Sequence, residues 1–286
     1  MAFLFGIRHL SALPTVRPTL YPLFMIRLKN QQGNVKRLEL KNAGRGITRM
    51  KRFSPYAFPI SIVVLYAVYF FACNKFFFDN GLFIAINEVS SVNVSQRAVI
   101  DCCAMLLFPL GLIITYRQRL EDLGFKKSAL SILLLAAYVL VFFFQGDFTV
   151  RGTYHPFFYL IIVAMPEELI FRGYLYLQLK KQNRLAAILI SGALFGVMHA
   201  ILPGILAGLS VQSILVNMLS EIGGGVVGGG LFILLLEFSE SLFVPIMVHA
   251  LLDYAKMWGL WLTIATFGYL LFINNIKKRK RREDKL

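Results

Sequence analysis

The chain has 286 residues, 57% of them hydrophobic and only 16% charged, with a net charge of +15. A soluble globule of this size usually carries about 25% charged residues, so this composition excludes that class and selects a polytopic membrane protein. The excess positive charge does not point to nucleic acid. The basic residues lie mostly in short stretches between or outside apolar runs, where lipid headgroups and the positive-inside bias account for them.

Residues 1–52 carry eleven Lys or Arg against a single acid, Glu39. They read as a basic cytoplasmic N-terminal segment held at anionic lipid. An organelle transit peptide shares this Arg-rich, acid-poor composition. The apolar start Met1–Ile7 stops at Arg8 and is too short for a secretory signal. Eight apolar runs follow, near 54–74, 98–116, 129–146, 156–179, 185–202, 209–236, 240–255 and 259–276. Each is predicted to be a membrane-spanning helix, which makes the fold an all-α polytopic transmembrane bundle of about eight spans. Residues 53–155 form its N-terminal helices, 156–276 a core, and 277–286 a basic cytoplasmic tail. Cys73, Cys102 and Cys103 all lie in apolar stretches without metal-ligand spacing and read as packing residues.

Loop charge supports this count. With the N-terminal segment inside, Arg117, Arg119, Lys126 and Lys127, then Lys180–Arg184, then Lys277–Arg282 all fall on the cytoplasmic side. This predicts a multi-pass protein of a plasma (inner) membrane with both termini cytoplasmic. Asn93-Val94-Ser95 on the outer side matches a glycosylation triplet that arises readily by chance.

Three fragments inside the apolar runs carry the chemistry: Glu167–Arg172 (Glu-Glu-Leu-Ile-Phe-Arg), Phe195–His199 and His249–Asp253. A charged side chain at mid-bilayer costs roughly 3 kcal/mol, so such residues usually mark a pathway or a reaction site. Counted from the inner ends of their spans, Glu167, His199 and His249 each lie roughly 15–21 Å deep and share a level. Glu168 and Arg172 are four apart on one helix face, which pairs them and gives them a positioning role. Glu167 points about 100° away, which leaves it for general-base chemistry. Phe195 can wall the His199 imidazole, and Asp253, four residues on, can orient His249. Two histidines and a glutamate (Glu167, His199, His249) also match a catalytic zinc set. A zinc site and a metal-free site fit the spacing equally. In Gly223–Gly230, pairs such as Gly224 with Gly228 permit close helix packing, or a groove wall for a substrate backbone. Pro203-Gly204 marks a turn. Asp101 has no evident partner and reads as a snorkelling residue near the outer end of its span.

Glu-Glu-x-x-x-Arg, Phe-x-x-x-His and His-x-x-x-Asp, in this order on spans, resemble the CPBP family of intramembrane proteases. That family includes the type II CAAX prenyl endopeptidases and the bacterial Abi proteins linked to bacteriocin processing or self-immunity. The likeness covers about 156–258, with a weaker trace at Leu120–Phe125. It implies an active-site cavity open to water inside the membrane and hydrolysis of a peptide bond in a peptide or membrane-protein substrate. By motif position, Glu167 and His199 would activate water, His249 and Asp253 would stabilise the oxyanion, and Glu168 with Arg172 would complete the first motif. The prenyl endopeptidases have Asn where this chain has Asp253. An ionised Asp would repel an oxyanion, which favours a metal-ligand or orienting role there. The competing class is non-catalytic: an immunity protein or a peptide-binding transporter using the same polar cluster. A prenyl transferase would need an Asp-rich diphosphate motif that the chain lacks.

Overall fold

The computed structural model describes residues 54–116 and 120–284. The basic segment 1–52, and Arg117 and Arg119 of the first inner loop, lie outside the described residues. Among the described residues the fold is helical throughout. In chain order, α1 is Ala57–Asp79, α2 runs 94–116, α3 is Ala129–Gln145 and α4 runs 150–180. Then come α5 (Arg184–His199), the short α6 (Ile201–Leu206), α7 (Val211–Ser239), α8 (Phe243–Ala255) and α9 (Met257–Glu283).

These helices correspond to the eight predicted spans, with α6 continuing the fifth across a turn at Ala200. Five stretches are long and apolar enough to cross a membrane: Ala57–Asp79, Val94–Thr115, Arg184–Leu206, Val211–Ser239 and Met257–Glu283. Ala129–Gln145 and Phe243–Ala255 are apolar but shorter. The α4 helix is long enough but holds Glu167, Glu168 and Arg172 in its middle.

The α4 helix begins six residues before the predicted start at 156. Thr149 caps it, its hydroxyl accepting the Gly152 N–H at 3.1 Å. Pro156, the first residue of the predicted span, sits inside the helix. Over 158–164 the helix is wound wider, and the Met165 N–H reaches back five residues to the Leu160 carbonyl. Pro166 explains this. A proline ring clashes with the carbonyl four residues back, and widening the preceding turn relieves the clash. The same arrangement recurs in α2, where the wide turn Cys102–Leu106 precedes Pro109. A second wide segment, Leu169–Tyr176, follows the glutamate pair, and every residue in it is buried.

Helices α5 and α7 pack through glycines on both sides, in a register different from the one expected. Gly224 and Gly228 face open space. The contact belongs instead to Gly225 and Gly229 on α7 against Gly192 and Gly196 on α5. A Cβ on Gly225 would strike the Gly196 backbone, and one on Gly192 would stand 2.7 Å from the Val226 Cα. Two glycines four apart on each helix let the backbones touch where lipid gives no hydrophobic drive to association. Gly259 plays a similar part in the tight α8–α9 hairpin, where a Cβ would strike the Leu251 carbonyl.

Both ends of the bundle carry polar ties. At one end Asp101 is not a snorkelling residue. It is buried and paired with Arg97 at 2.7 Å, and the Tyr154 hydroxyl donates to it at 2.8 Å. The Arg97 guanidinium also donates to the Ile84 carbonyl. At the other end Glu237 accepts from Tyr176 at 2.5 Å, Lys180 at 2.7 Å and Arg184 at 2.7 Å.

The glycine register makes a direct prediction. Gly225→Ala should lower stability by about 1–3 kcal/mol, because the added methyl meets backbone that has no rotamer to yield. Gly224→Ala should be neutral or stabilising by up to about 1 kcal/mol through helix propensity. Thermal unfolding of the two variants in the same detergent separates the two registers.

Candidate intramembrane active site

Four helices deliver the site. The α4 helix brings Glu167, Glu168 and Arg172, α5 brings Phe195 and His199, α7 brings Phe232, and α8 brings His249 and Asp253. The structure places Glu167, Glu168, Arg172, His249 and Asp253 in one cluster.

Glu168 is its centre. Its Oε1 lies 3.1 Å from Arg172 Nη1 and 2.9 Å from His249 Nδ1. A carboxylate only accepts, so Nδ1–H is the donor and Nε2 is the ring atom left to face the reaction space. The pairing of Glu168 with Arg172 was legible from spacing, but the bond to His249 was not, since the two residues are 81 apart in the chain. The orienting carboxylate for His249 is therefore Glu168 first. Asp253 Oδ2 stands farther off, at 3.5 Å from Nε2.

Glu168 and Arg172 are fully buried. Among the described residues the Arg172 N–H groups make no hydrogen bond. The guanidinium lies instead between two aromatic faces, 4.0 Å from the Phe195 ring centre and 4.9 Å from that of Phe232. Each such contact is worth about 2 kcal/mol when desolvated. Together with the ion pair they offset a burial cost of several kcal/mol per ion.

Exposure rises across the cluster and shows which end is open. Side chains go from 0% at Glu168 and Arg172, through 7% at His249 and 18% at Glu167, to 35% at Asp253. Glu167 Oε2 stands 3.7 Å from His249 Nε2 and has no hydrogen-bond partner. His199 is exposed at the end of α5, within electrostatic reach of Glu167. Its Nδ1 lies 2.8 Å from the Phe195 carbonyl, and its ring meets the Phe195 edge at 4.3 Å.

Residues 149–255 match the family model of the type II CAAX prenyl endopeptidase, Rce1-like. The segment is similar to that family over 149–255. The matched segment runs from Thr149, the cap of α4, to Ala255, the last residue of α8, and holds all seven motif residues. The family is one of membrane proteases. Searches of curated proteins and of solved structures each found no match.

The zinc alternative can be tested on the donors themselves. Among the described residues no three His, Cys, Asp or Glu side chains converge on a common metal position. The Nδ1 atoms of His199 and His249 are already engaged, so a metal would have to draw both Nε2 atoms and Glu167 together. The arrangement as it stands does not make that set.

Several neighbours escaped the motifs. Phe232 stacks on the His249 ring with centroids 5.0 Å apart and planes inclined 25°. Tyr66 of α1 is fully buried beside Glu167, its hydroxyl 4.0 Å from Met105 Sδ. Tyr138 and Tyr159 stand beside Asp253. An aromatic residue in an apolar span carries no sequence signal that separates it from core.

Arg172→Met should cost about 3–5 kcal/mol, because it leaves the Glu168 charge buried without its cation. Denaturant or thermal unfolding in detergent measures it. An unchanged transition would show that the ion pair does not hold the bundle.

Proposed function

We propose that the chain is an intramembrane endopeptidase in which Glu167 activates the water that hydrolyses a peptide bond. The observation that carries this reading is the division between the adjacent glutamates. Glu168 Oε1 is committed to Arg172 and His249 in a closed pocket, while the less buried Glu167 has no contact that short and places Oε2 3.7 Å from His249 Nε2.

In this mechanism the Glu167 carboxylate takes a proton from water. The resulting hydroxide adds to the scissile carbonyl carbon, and the carbonyl electron pair moves to oxygen. Collapse of the tetrahedral intermediate breaks the C–N bond, and Glu167 returns its proton to the departing amine. His199 presents Nε2 to orient the water. His249, aimed by Glu168 through Nδ1–H, serves the oxyanion as an imidazolium that donates Nε2–H. Asp253 holds Nε2 of His249 from the open side and does not serve the oxyanion directly, since its charge would oppose the charge forming there.

The substrate we infer is a membrane-anchored peptide with an apolar group. An apolar cavity of about 320 Å³, lined by Val63, Ala67, Phe71, Leu194, Met198 and Ile214, opens between α1, α5 and α7. Lys126, Lys127, Lys180, Lys181 and the basic end of α9 lie on one side in the predicted topology, which supports a cytoplasmic assignment for that face.

The reading is tested by comparing protein termini in membranes from cells expressing wild type and Glu167→Gln at equal levels. New termini should appear only with the wild type. Equal terminomes from folded, abundant proteins would replace the protease with an immunity or peptide-binding role. On an internally quenched peptide with a farnesylated C-terminal cysteine motif, Glu167→Gln should lower kcat by about 10²–10⁴-fold. A zinc chelator should leave wild-type cleavage intact. Loss of activity that zinc restores would instead assign Glu167, His199 and His249 to a metal.

A further inference from the structure

We infer that Phe232 is a positioning residue of the site, one that fixes the plane of the His249 ring; this rests on the reading of Glu167 and His249 given above. His249 has one short hydrogen bond, Nδ1 to Glu168. That bond and the looser Asp253 contact, 3.5 Å from Nε2, still let the ring rock about χ2. Tilting would swing Nε2 away from Glu167, which stands only 3.7 Å off.

Phe232 removes that freedom. Its ring lies nearly parallel to the imidazole, 5.0 Å away with a 25° inclination. Phe195 closes another side with an edge contact at 6.2 Å and 81°. Phe232 also lies over the guanidinium of Arg172, at 4.9 Å, so one ring registers both partners of Glu168. An aliphatic side chain could fill the volume, but it has no flat face to set a plane and no quadrupole to hold a cation.

Helix α7 is built to present this ring. Gly229, three residues earlier on the same face, comes so near α5 that a Cβ there would stand 2.9 Å from the Gly192 Cα. The glycine seam thus sets how near α7 comes to α4 and α8, and Phe232 uses that nearness.

Two substitutions and two readouts test the inference. Phe232→Leu keeps most of the volume and removes the face; Phe232→Tyr keeps the face. On the quenched farnesylated peptide, Phe232→Leu should lower kcat by about ten- to a hundred-fold with KM within about two-fold, as expected for a misaimed group. Phe232→Tyr should restore kcat, and both should melt close to the wild type. Separately, diethyl pyrocarbonate labelling of His249, followed by mass spectrometry, should be faster in Phe232→Leu and unchanged in Phe232→Tyr. Unchanged labelling in Phe232→Leu would overturn the inference whether or not the peptide is cleaved. So would wild-type kcat in Phe232→Leu alongside an inactive Glu167→Gln, or parallel losses of kcat and melting temperature in both Phe232 variants. Full activity in Glu167→Gln would overturn the protease reading instead, and labelling alone would then decide the role of Phe232.

Discussion

One oxygen atom, Glu168 Oε1, joins the fold to the site. It holds the Arg172 guanidinium of its own helix and the His249 imidazole of α8. In an apolar medium neither cation nor carboxylate is tolerable alone, so the helices that carry them are obliged to meet. Two further helices supply aromatic faces to the same guanidinium, Phe195 from α5 and Phe232 from α7. The interaction that stabilises the core therefore also assembles the chemistry. It leaves Glu167, the neighbouring glutamate, without a comparable anchor.

That arrangement depends on backbone features with no side-chain chemistry of their own. Pro166 forces a wider turn before the glutamate pair, and a second wide segment follows it. Wider winding changes which side chains share a face, and such turns recur at functional sites in helices. The glycines of α5 and α7 let two backbones touch, and Phe195 and Phe232 of those helices both reach Arg172. A helix–helix distance larger by one methyl group would separate the rings from the cation they enclose.

The fold and the convergence of the three motifs were legible in the sequence because apolar runs, loop charge and intramembrane charges each carry a physical signal. Contacts between distant residues were not. Glu168 and His249 share no periodicity, and Phe232 is one of 26 phenylalanines. The glycine run fixed that α7 packs closely but not which side does so; Gly225 and Gly229 face α5, while Gly224 and Gly228 do not. Asp101 was misjudged for a simpler reason. Placing the second span at 98 left Arg97 outside it, and the two are four apart on one helix.

The family match begins at the cap of α4 and ends with α8, yet the site is not confined to that segment. Tyr66, from α1, is fully buried beside Glu167, and Tyr138, from α3, stands beside Asp253. Both rings lie within electrostatic reach of those carboxylates. A charge acts over a longer range in a low-dielectric enclosure than in water, so whatever walls Glu167 helps set how strongly its carboxylate and the His249 ring interact. The α4–α8 unit supplies the charged groups, and the helices before it supply part of the apolar enclosure in which those charges act.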